Sequence, residues 1–300
     1  MGDLNFKIVN TFMTKVLLIW SICFLFGCTL KKKDFDIQNL SGNEIGVVGH
    51  AGIGFSSFQN DTPPNSMASL DRAVNIYGAN GLELDIQVNY EGQLFVFHDR
   101  SLYPSTHCTG CIFEYSEAEL RNCTYRNGDL FPQQWNEPIL TLEEVLIYFY
   151  NQESPPLLFL DIESNPLCES SLQETLILSL LETKLLYLID QYAANDWIIT
   201  EPNNLTLAQN LVAKNPKIKL SWLAEFSATN IGLAVENQFW GMVTSNDSAS
   251  QTEIEAVHAA GLRASLFALK TQSAMVAAVE KQPDFLQTDN IVLLQQILNQ

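Results

Sequence analysis

From residue 45 onward the chain alternates between two hydrophobic rhythms. Eight short apolar runs, often β-branched, are IGVVGHAG (45–52), GLELDIQV (81–88), LLFLDIE (157–163), WIIT (197–200), KLSWLAE (219–225), GMVTSN (241–246), RASLFALK (263–270) and FLQTD (285–289). Runs of this length and continuity predict strands covered on both faces. Between most of them lie stretches with apolar residues at helical spacing, such as NSMASLDRAVNIYG (65–78), TLEEVLIYFYNQ (141–152), LTLAQNLVAKN (205–215), TEIEAVHAAG (252–261) and QSAMVAAVEK (272–281). Several close on a Gly or Asn suited to a helix C-terminus. QLFVFHD (93–99) adds a further strand after the second. Eight strand and helix pairs over roughly 250 residues predict an α/β chain folded as a (β/α)₈ TIM barrel. A doubly wound open sheet is usually announced by a glycine-rich nucleotide loop, and the sequence has none. The long irregular stretch 101–137 predicts a loop or small insertion over the barrel mouth.

The first residues change the picture of where the protein works. Lys15 precedes the apolar run VLLIWSICFLFG (16–27), which ends at Cys28 and is followed by three lysines. The run is too short for a helix needing about 20 residues to cross a bilayer. A basic start, an apolar stretch and a small-residue end predict a secretory signal peptide over 1–27, with Met13 as an alternative start. LFGC is similar to the lipobox of bacterial lipoproteins, which makes Cys28 the lipidated first residue. The expected layout is therefore signal 1–27, lipid-anchored linker 28–44 and barrel domain 45–300. The expected location is the periplasm or cell surface of a bacterium, on a membrane. Loss of Lys7, Lys15 and Asp3 with the signal takes the net charge from −18 to −19. So acidic a protein lacks the basic stripes that displace counterions from nucleic acid, which excludes nucleic acid as a partner.

Four cysteines remain in the exported part, Cys108, Cys111, Cys123 and Cys168. An even number in an oxidising compartment predicts disulfides, whose pairing the sequence leaves open. A zinc site formed by His107 with the neighbouring cysteines is the alternative.

The candidate chemistry begins in the second strand. Glu83 and Asp85 point the same way, because strand side chains alternate with period two. Facing outward, they would simply meet the helix layer or solvent. Facing into a barrel, they need a cation or hydrogen bonds to offset desolvation. Their company favours the inward reading: His50 ends the first strand, His98 ends the strand after Glu83 and Asp85, and the third strand closes with Asp161 and Glu163. The C-terminal ends of barrel strands are where barrel enzymes build their sites. Converging carboxylates suit a hard divalent cation, Ca²⁺ or Mg²⁺. Two histidines can exchange acid and base roles near neutral pH, and the combination suits displacement at phosphorus. His258, in a helical pattern, is expected on the helix surface or against the sheet. Trp222 and Phe267 are expected in the core, with a mouth-lining role as the alternative.

At these residues the chain resembles the glycerophosphodiester phosphodiesterases, a (β/α)₈ family whose signature reads roughly H-R-G, P-E-N-[ST], G-x-E-x-D and H-D. The matching pieces are HAG (50–52), PPNS (63–66), GLELD (81–85) and HD (98–99), with TLEEVL (141–146) and FLQTDN near the end. The resemblance spans residues 45 to 290. It implies a metal held by Glu83, Asp85 and an acid of LDIES, catalysis by His50 and His98, and substrate contacts from Asn65 and Asn165. The third acid is taken as Glu163, with Asn165 standing where the family has lysine; the alternative is Asp161, if the match shifts by two. The implied reaction is hydrolysis of a glycerophosphodiester to glycerol 3-phosphate and an alcohol. Ala51 and Pro64 stand where the signature has Arg and Glu, and the lysine is absent. The alternative enzyme on the same barrel is phospholipase D-like, acting on intact phospholipid or sphingomyelin, and the departures at Ala51, Pro64 and the lysine suggest a surface lipoprotein that binds ligands without turnover.

Overall fold

The computed structural model describes residues 35–55, 62–103, 105–126, 137–162 and 171–299. The strands are β1 (Gly46–His50), β2 (Gly81–Val88), β3 (Leu94–Val96), β4 (Leu140–Thr141), β5 (Leu157–Ile162), β6 (Ile198–Pro202), β7 (Lys219–Leu223), β8 (Gly241–Ser245), β9 (Arg263–Phe267) and β10 (Phe285–Thr288). β1, β2 and β5 to β10 pair in parallel, and β10 pairs back onto β1, so the eight strands close into a barrel. β3 pairs antiparallel with β2, and β4 with β3, forming a ribbon that leaves the barrel at its rim.

Helices follow the strands: α1 (Met67–Asp71, continued by a π-turn over Arg72–Ile76), α2 (Glu117–Leu120), α3 (Leu142–Tyr150), α4 (Ser171–Gln191), α5 (Leu205–Lys214), α6 (Ala228–Glu236), α7 (Gln251–Ala259), α8 (Gln272–Glu280) and α9 (Ile291–Leu298). Their starts are set by side chains that accept the first free backbone N–H groups. Thr141 with Glu144 and Ser250 with Glu253 form reciprocal capping boxes for α3 and α7. Asn204, Ser227, Thr271 and Asn290 cap α5, α6, α8 and α9 singly. The TIM barrel expected from the sequence is the observed fold.

Strand alternation divides the interior in two. Leu82, Leu84, Leu158, Leu160, Ile198 and Leu286 face the helices and join the large outer core. Val48, Phe159, Ile199 and Phe285 form a separate small cluster, the apolar plug inside the barrel. At the start of β2 the plug leaves no room for a side chain: a Cβ on Gly81 would lie 2.8 Å from the Leu157 carbonyl oxygen.

Phe35 and Ile37, in the expected linker, pack on the outer core, and Asn39 Nδ2 donates to the carbonyls of Glu44 (2.8 Å) and Pro283 (2.9 Å). The linker's last ten residues therefore dock on the barrel. The expected signal 1–27 and Cys28 lie outside the described residues. The stretch 101–137, expected to be irregular, carries α2 and two isolated antiparallel bridges, Thr106 with Tyr125 and Thr124 with Pro138. It has its own core of Phe95, Phe97, Leu102, Ile112, Leu120, Tyr125 and Ile139. A Cys108–Cys123 disulfide fastens it. That bond ties up two of the thiolates that a zinc site with His107 would use. Cys111 is buried in the same insertion, and Cys168 lies outside the described residues.

Candidate active site

β2 and β5 lie side by side in parallel with Asp85 opposite Asp161. Because Leu84, Leu160 and Ile162 occupy the outer core, the alternate residues Glu83, Asp85 and Asp161 face the barrel interior. Each offers a carboxylate oxygen within 4.8 Å of the others. The outward-facing alternative for Glu83 and Asp85 does not hold: Leu82, Leu84 and Ile86 take the helix-facing positions of β2, and both acids are only 3% exposed. Asp161 is the acid of LDIES that the structure brings to this pair. Glu163 and Asn165 lie outside the described residues.

The turn after β1 builds one wall. Ala51 N donates to Glu83 Oε2 (3.1 Å) and to the Glu83 carbonyl (3.1 Å), while Asn65 Nδ2 donates to Asp85 Oδ2 (2.8 Å). Ala51 and Asn65 both adopt positive φ, 49° and 58°. Backbone in this region costs energy and gathers at functional sites. Gly52 follows at φ +93°, where a Cβ would meet Ser69 Oγ at 2.3 Å, so only glycine fits the turn. Burial pushes Glu83 well above the usual carboxylate range, and the charges of Asp85 and Asp161 push it further. Repelling, desolvated carboxylates of this kind are the donor set for a hard cation.

The imidazoles stand above the acids and are open to solvent, His50 at 34% and His98 at 48% side-chain exposure. His50 Nδ1 lies 2.7 Å from Asp289 Oδ1, and its Nε2 lies 3.8 Å from Glu83 Oε2. Asp289 also accepts from Phe55 N (3.2 Å). Burial works to raise Asp289, but the His50 hydrogen bond and charge outweigh it and hold the carboxyl below its ordinary value. His98 Nδ1 lies 3.0 Å from Asp99 Oδ1. The hydrogen bond to His98 is the main cause that lowers Asp99, and Ser105 Oγ donates to its other oxygen. Gln87 Nε2 donates to the carbonyls of Phe97 (2.7 Å) and Asp99 (3.0 Å), pinning the segment that carries His98. The Phe55 ring touches both imidazoles, with centroids 4.8 Å from His50 and 4.6 Å from His98.

Sequence reasoning names His50, His98, Glu83, Asp85 and Glu163, with Asp161 as the alternative to Glu163, and the structure gathers His50, His98, Glu83, Asp85 and Asp161 at the C-terminal ends of β1, β2, β3 and β5. It misses Asp289, Phe55, Glu201 and Gln287. Asp289 had a signal, as the acid closing FLQTD. Glu201 and Gln287 sit on the inner face of β6 and β10, where Gln287 Nε2 donates to Glu201 Oε2 (2.7 Å). Burial, opposed by that hydrogen bond and aided by Asp161, leaves Glu201 pushed up to about 8. Asn65, expected at substrate, donates its Nδ2 to Asp85, and its Oδ1 is buried with no hydrogen-bond partner among the described residues. His258 lies against the sheet, its Nε2 2.9 Å from Asp284 Oδ2. Trp222 packs in the outer core, and Phe267 is half-buried at the end of β9.

Acids and imidazoles gathered at one rim of a closed parallel barrel are the arrangement of a (β/α)₈-barrel enzyme. The profile described as "Glycerophosphoryl diester phosphodiesterase family" matches residues 57–293. The chain belongs to that family. A glycerophosphodiester phosphodiesterase from Bacillus altitudinis is 34% identical over 93 residues, 30% of this chain and 36% of that protein. One from Caldanaerobacter subterraneus subsp. tengcongensis is 28% identical over 138 residues, 45% of this chain and 52% of that protein. The matches thus span a third to a half of those relatives' length. Among solved structures, the Oleispira antarctica phosphodiesterase in complex with the product sn-glycerol-3-phosphate superposes with TM-score 0.68 at 18% identity, covering 85% of this chain and 97% of that one. At that identity the likeness concerns the fold.

Proposed function

We propose that the protein hydrolyses glycerophosphodiesters to glycerol 3-phosphate and an alcohol, with a divalent cation, Ca²⁺ or Mg²⁺, and His50 and His98 as base and acid. The observation that carries this reading is the convergence of three carboxylates, Glu83 and Asp85 buried and Asp161 partly so, beneath an imidazole that a fourth, Asp289, orients. Glu83, Asp85 and Asp161 hold the cation, and when bound it supplies positive charge against the phosphodiester oxygens.

The chain's own groups supply the proton transfers. The carboxylate of Asp289 accepts from His50 Nδ1–H, which leaves Nε2 with its lone pair free to act as a base. Nε2 takes the proton of the substrate hydroxyl adjacent to the ester as that oxygen attacks phosphorus. His98, carrying its proton beside Asp99, donates to the ester oxygen as the bond between phosphorus and the departing alcohol breaks. The products of this step are a cyclic phosphate and the free alcohol. Water then attacks the cyclic phosphate with the roles reversed, giving glycerol 3-phosphate and restoring both histidines.

Export through residues 1–27 and anchoring at Cys28 complete the proposal and place the site at a membrane, outside the cytoplasm. The test is to incubate chelator-treated protein with glycerophosphocholine, and in parallel with phosphatidylcholine and sphingomyelin vesicles, with and without Ca²⁺ or Mg²⁺. Cation-dependent choline release from glycerophosphocholine is expected. Activity on vesicles alone would move the assignment to a phospholipase D-like enzyme. Binding of glycerophosphocholine with no turnover of any of the three would make the protein a ligand-binding lipoprotein.

A further inference from the structure

We propose that Glu201 is a fourth carboxylate of the cation centre and that it biases the centre toward Ca²⁺ over Mg²⁺. The inference rests on Glu83, Asp85 and Asp161 being the other ligands, as proposed above.

Glu201 pairs directly with Asp161 across the parallel β5–β6 ladder, so the two side chains project side by side into the barrel. It is 2% exposed, and its neighbours along β6 leave it no route to solvent. One oxygen, Oε2, accepts from Gln287 Nε2 at 2.7 Å, which fixes the carboxyl plane. The other oxygen, Oε1, is buried with no hydrogen-bond partner among the described residues. Gln287, on the far side of the barrel closure at β10, is itself 5% exposed and so is a built support rather than a chance surface contact.

An orphaned oxygen at this position is costly in either protonation state. Ionised, Oε1 needs a donor or a cation; protonated, it needs an acceptor. Neither is present among the described residues. A cation shared with Asp161 meets the first need directly. Glu201 lies outside the 4.8 Å span that groups Glu83, Asp85 and Asp161, so it would meet the cation from the Asp161 side, its partner across the β5–β6 ladder. The selectivity follows from coordination chemistry. Ca²⁺ takes six to eight oxygen ligands in flexible geometry, whereas Mg²⁺ keeps several waters and one or two carboxylates. A fourth carboxylate in a dry barrel interior serves the first ion and crowds the second.

Isothermal titration of chelator-treated protein with Ca²⁺ and with Mg²⁺ tests this, using wild type, Glu201→Gln and Asp85→Asn. Glutamine preserves the volume of Glu201 and removes its ionisable group, so thermal melts without ion should show E201Q about as stable as wild type. Glu201→Asp, which keeps the charge but shortens its reach by one methylene, is read in the same way should the first variant fail to fold. Wild type should bind Ca²⁺ more tightly than Mg²⁺, E201Q should lose at least about tenfold in Ca²⁺ affinity and less in Mg²⁺ affinity, and D85N should lose both. A Ca²⁺ affinity in E201Q within tenfold of wild type, or a Mg²⁺ loss as large as the Ca²⁺ loss, overturns the role of Glu201. Undiminished binding by D85N would instead overturn the three-acid reading on which it stands.

Discussion

At the scale of single residues, the account turns on which atoms have partners. His50 is held at one nitrogen by Asp289 and is open at the other, the requirement for a base that acts without reorienting. Replacing His50 or His98 by Ala should lower kcat by about 10² to 10⁴-fold, the usual contribution of acid–base catalysis, with glycerophosphocholine binding nearly unchanged. Asp289→Asn keeps the shape of the acceptor but loses its charge. It should lower kcat on the order of 10²-fold through misplacement of the imidazole, with little change in KM. The same residue carries a pH signature. Its folded-state value lies below the ordinary carboxylate range, so its stabilisation is fully present above the unfolded value of about 4 and is lost as pH falls through the lower, folded one. Urea unfolding of wild type and D289N should therefore differ at pH 6 and converge in strong acid. Equal differences at both pH values would contradict the His50–Asp289 hydrogen bond as the source of this stabilisation. The acids of β2 were legible in the sequence because period two puts Glu83 and Asp85 on one face. Glu201 was not, because the apolar run reads as ending at Thr200, whereas β6 continues through Glu201 to Pro202.

Among the elements, the strands were more legible than the insertion. Buried parallel strands announce themselves as apolar runs bounded by polar ends, and each of the eight runs overlaps a barrel strand. The stretch 101–137 has few apolar residues at a regular spacing, so its order cannot be read from periodicity. It comes from a disulfide and from contacts with Phe95 and Phe97 on the β3 ribbon. The place of Asp161 was likewise beyond the local pattern, since only the pairing of β5 with β2 sets it opposite Asp85, while Glu163 lies outside the described residues. Closing a loop with a sequence separation of 15 residues should stabilise the insertion by about 3 kcal/mol on a chain-entropy reckoning. Cys108→Ser with Cys123→Ser should therefore speed hydrogen exchange in residues 105–126 while leaving exchange in the barrel strands unchanged. In the plug beneath the site, Phe159 is wholly buried, and Phe159→Ala should destabilise the fold by about 3–5 kcal/mol in denaturant titrations. A loss under 1 kcal/mol would mean that the plug does not support the floor of the site.

For the whole molecule, the barrel brings together groups from the two ends of a long chain: His50 and Asp289 are 239 residues apart. No sequence pattern links them. Closure of β10 onto β1 does, with Val47 opposite Leu286 and Gly49 opposite Thr288. Among the described residues no helix is long and apolar enough to cross a membrane. The proposed membrane attachment is through Cys28, outside the described residues, and Cys28→Ser should abolish incorporation of labelled palmitate in a bacterial host and release the protein from the membrane fraction. The central claim is that buried acids and paired imidazoles at the barrel rim form one cation-dependent phosphodiesterase site. It is tested most directly by following glycerophosphocholine by ³¹P NMR with chelator-treated wild-type protein and adding back Ca²⁺ or Mg²⁺. The account predicts that the diester signal stays constant until the cation is added and then converts to glycerol 3-phosphate. A diester signal unchanged by either cation, or conversion at the same rate with chelator present, would contradict it.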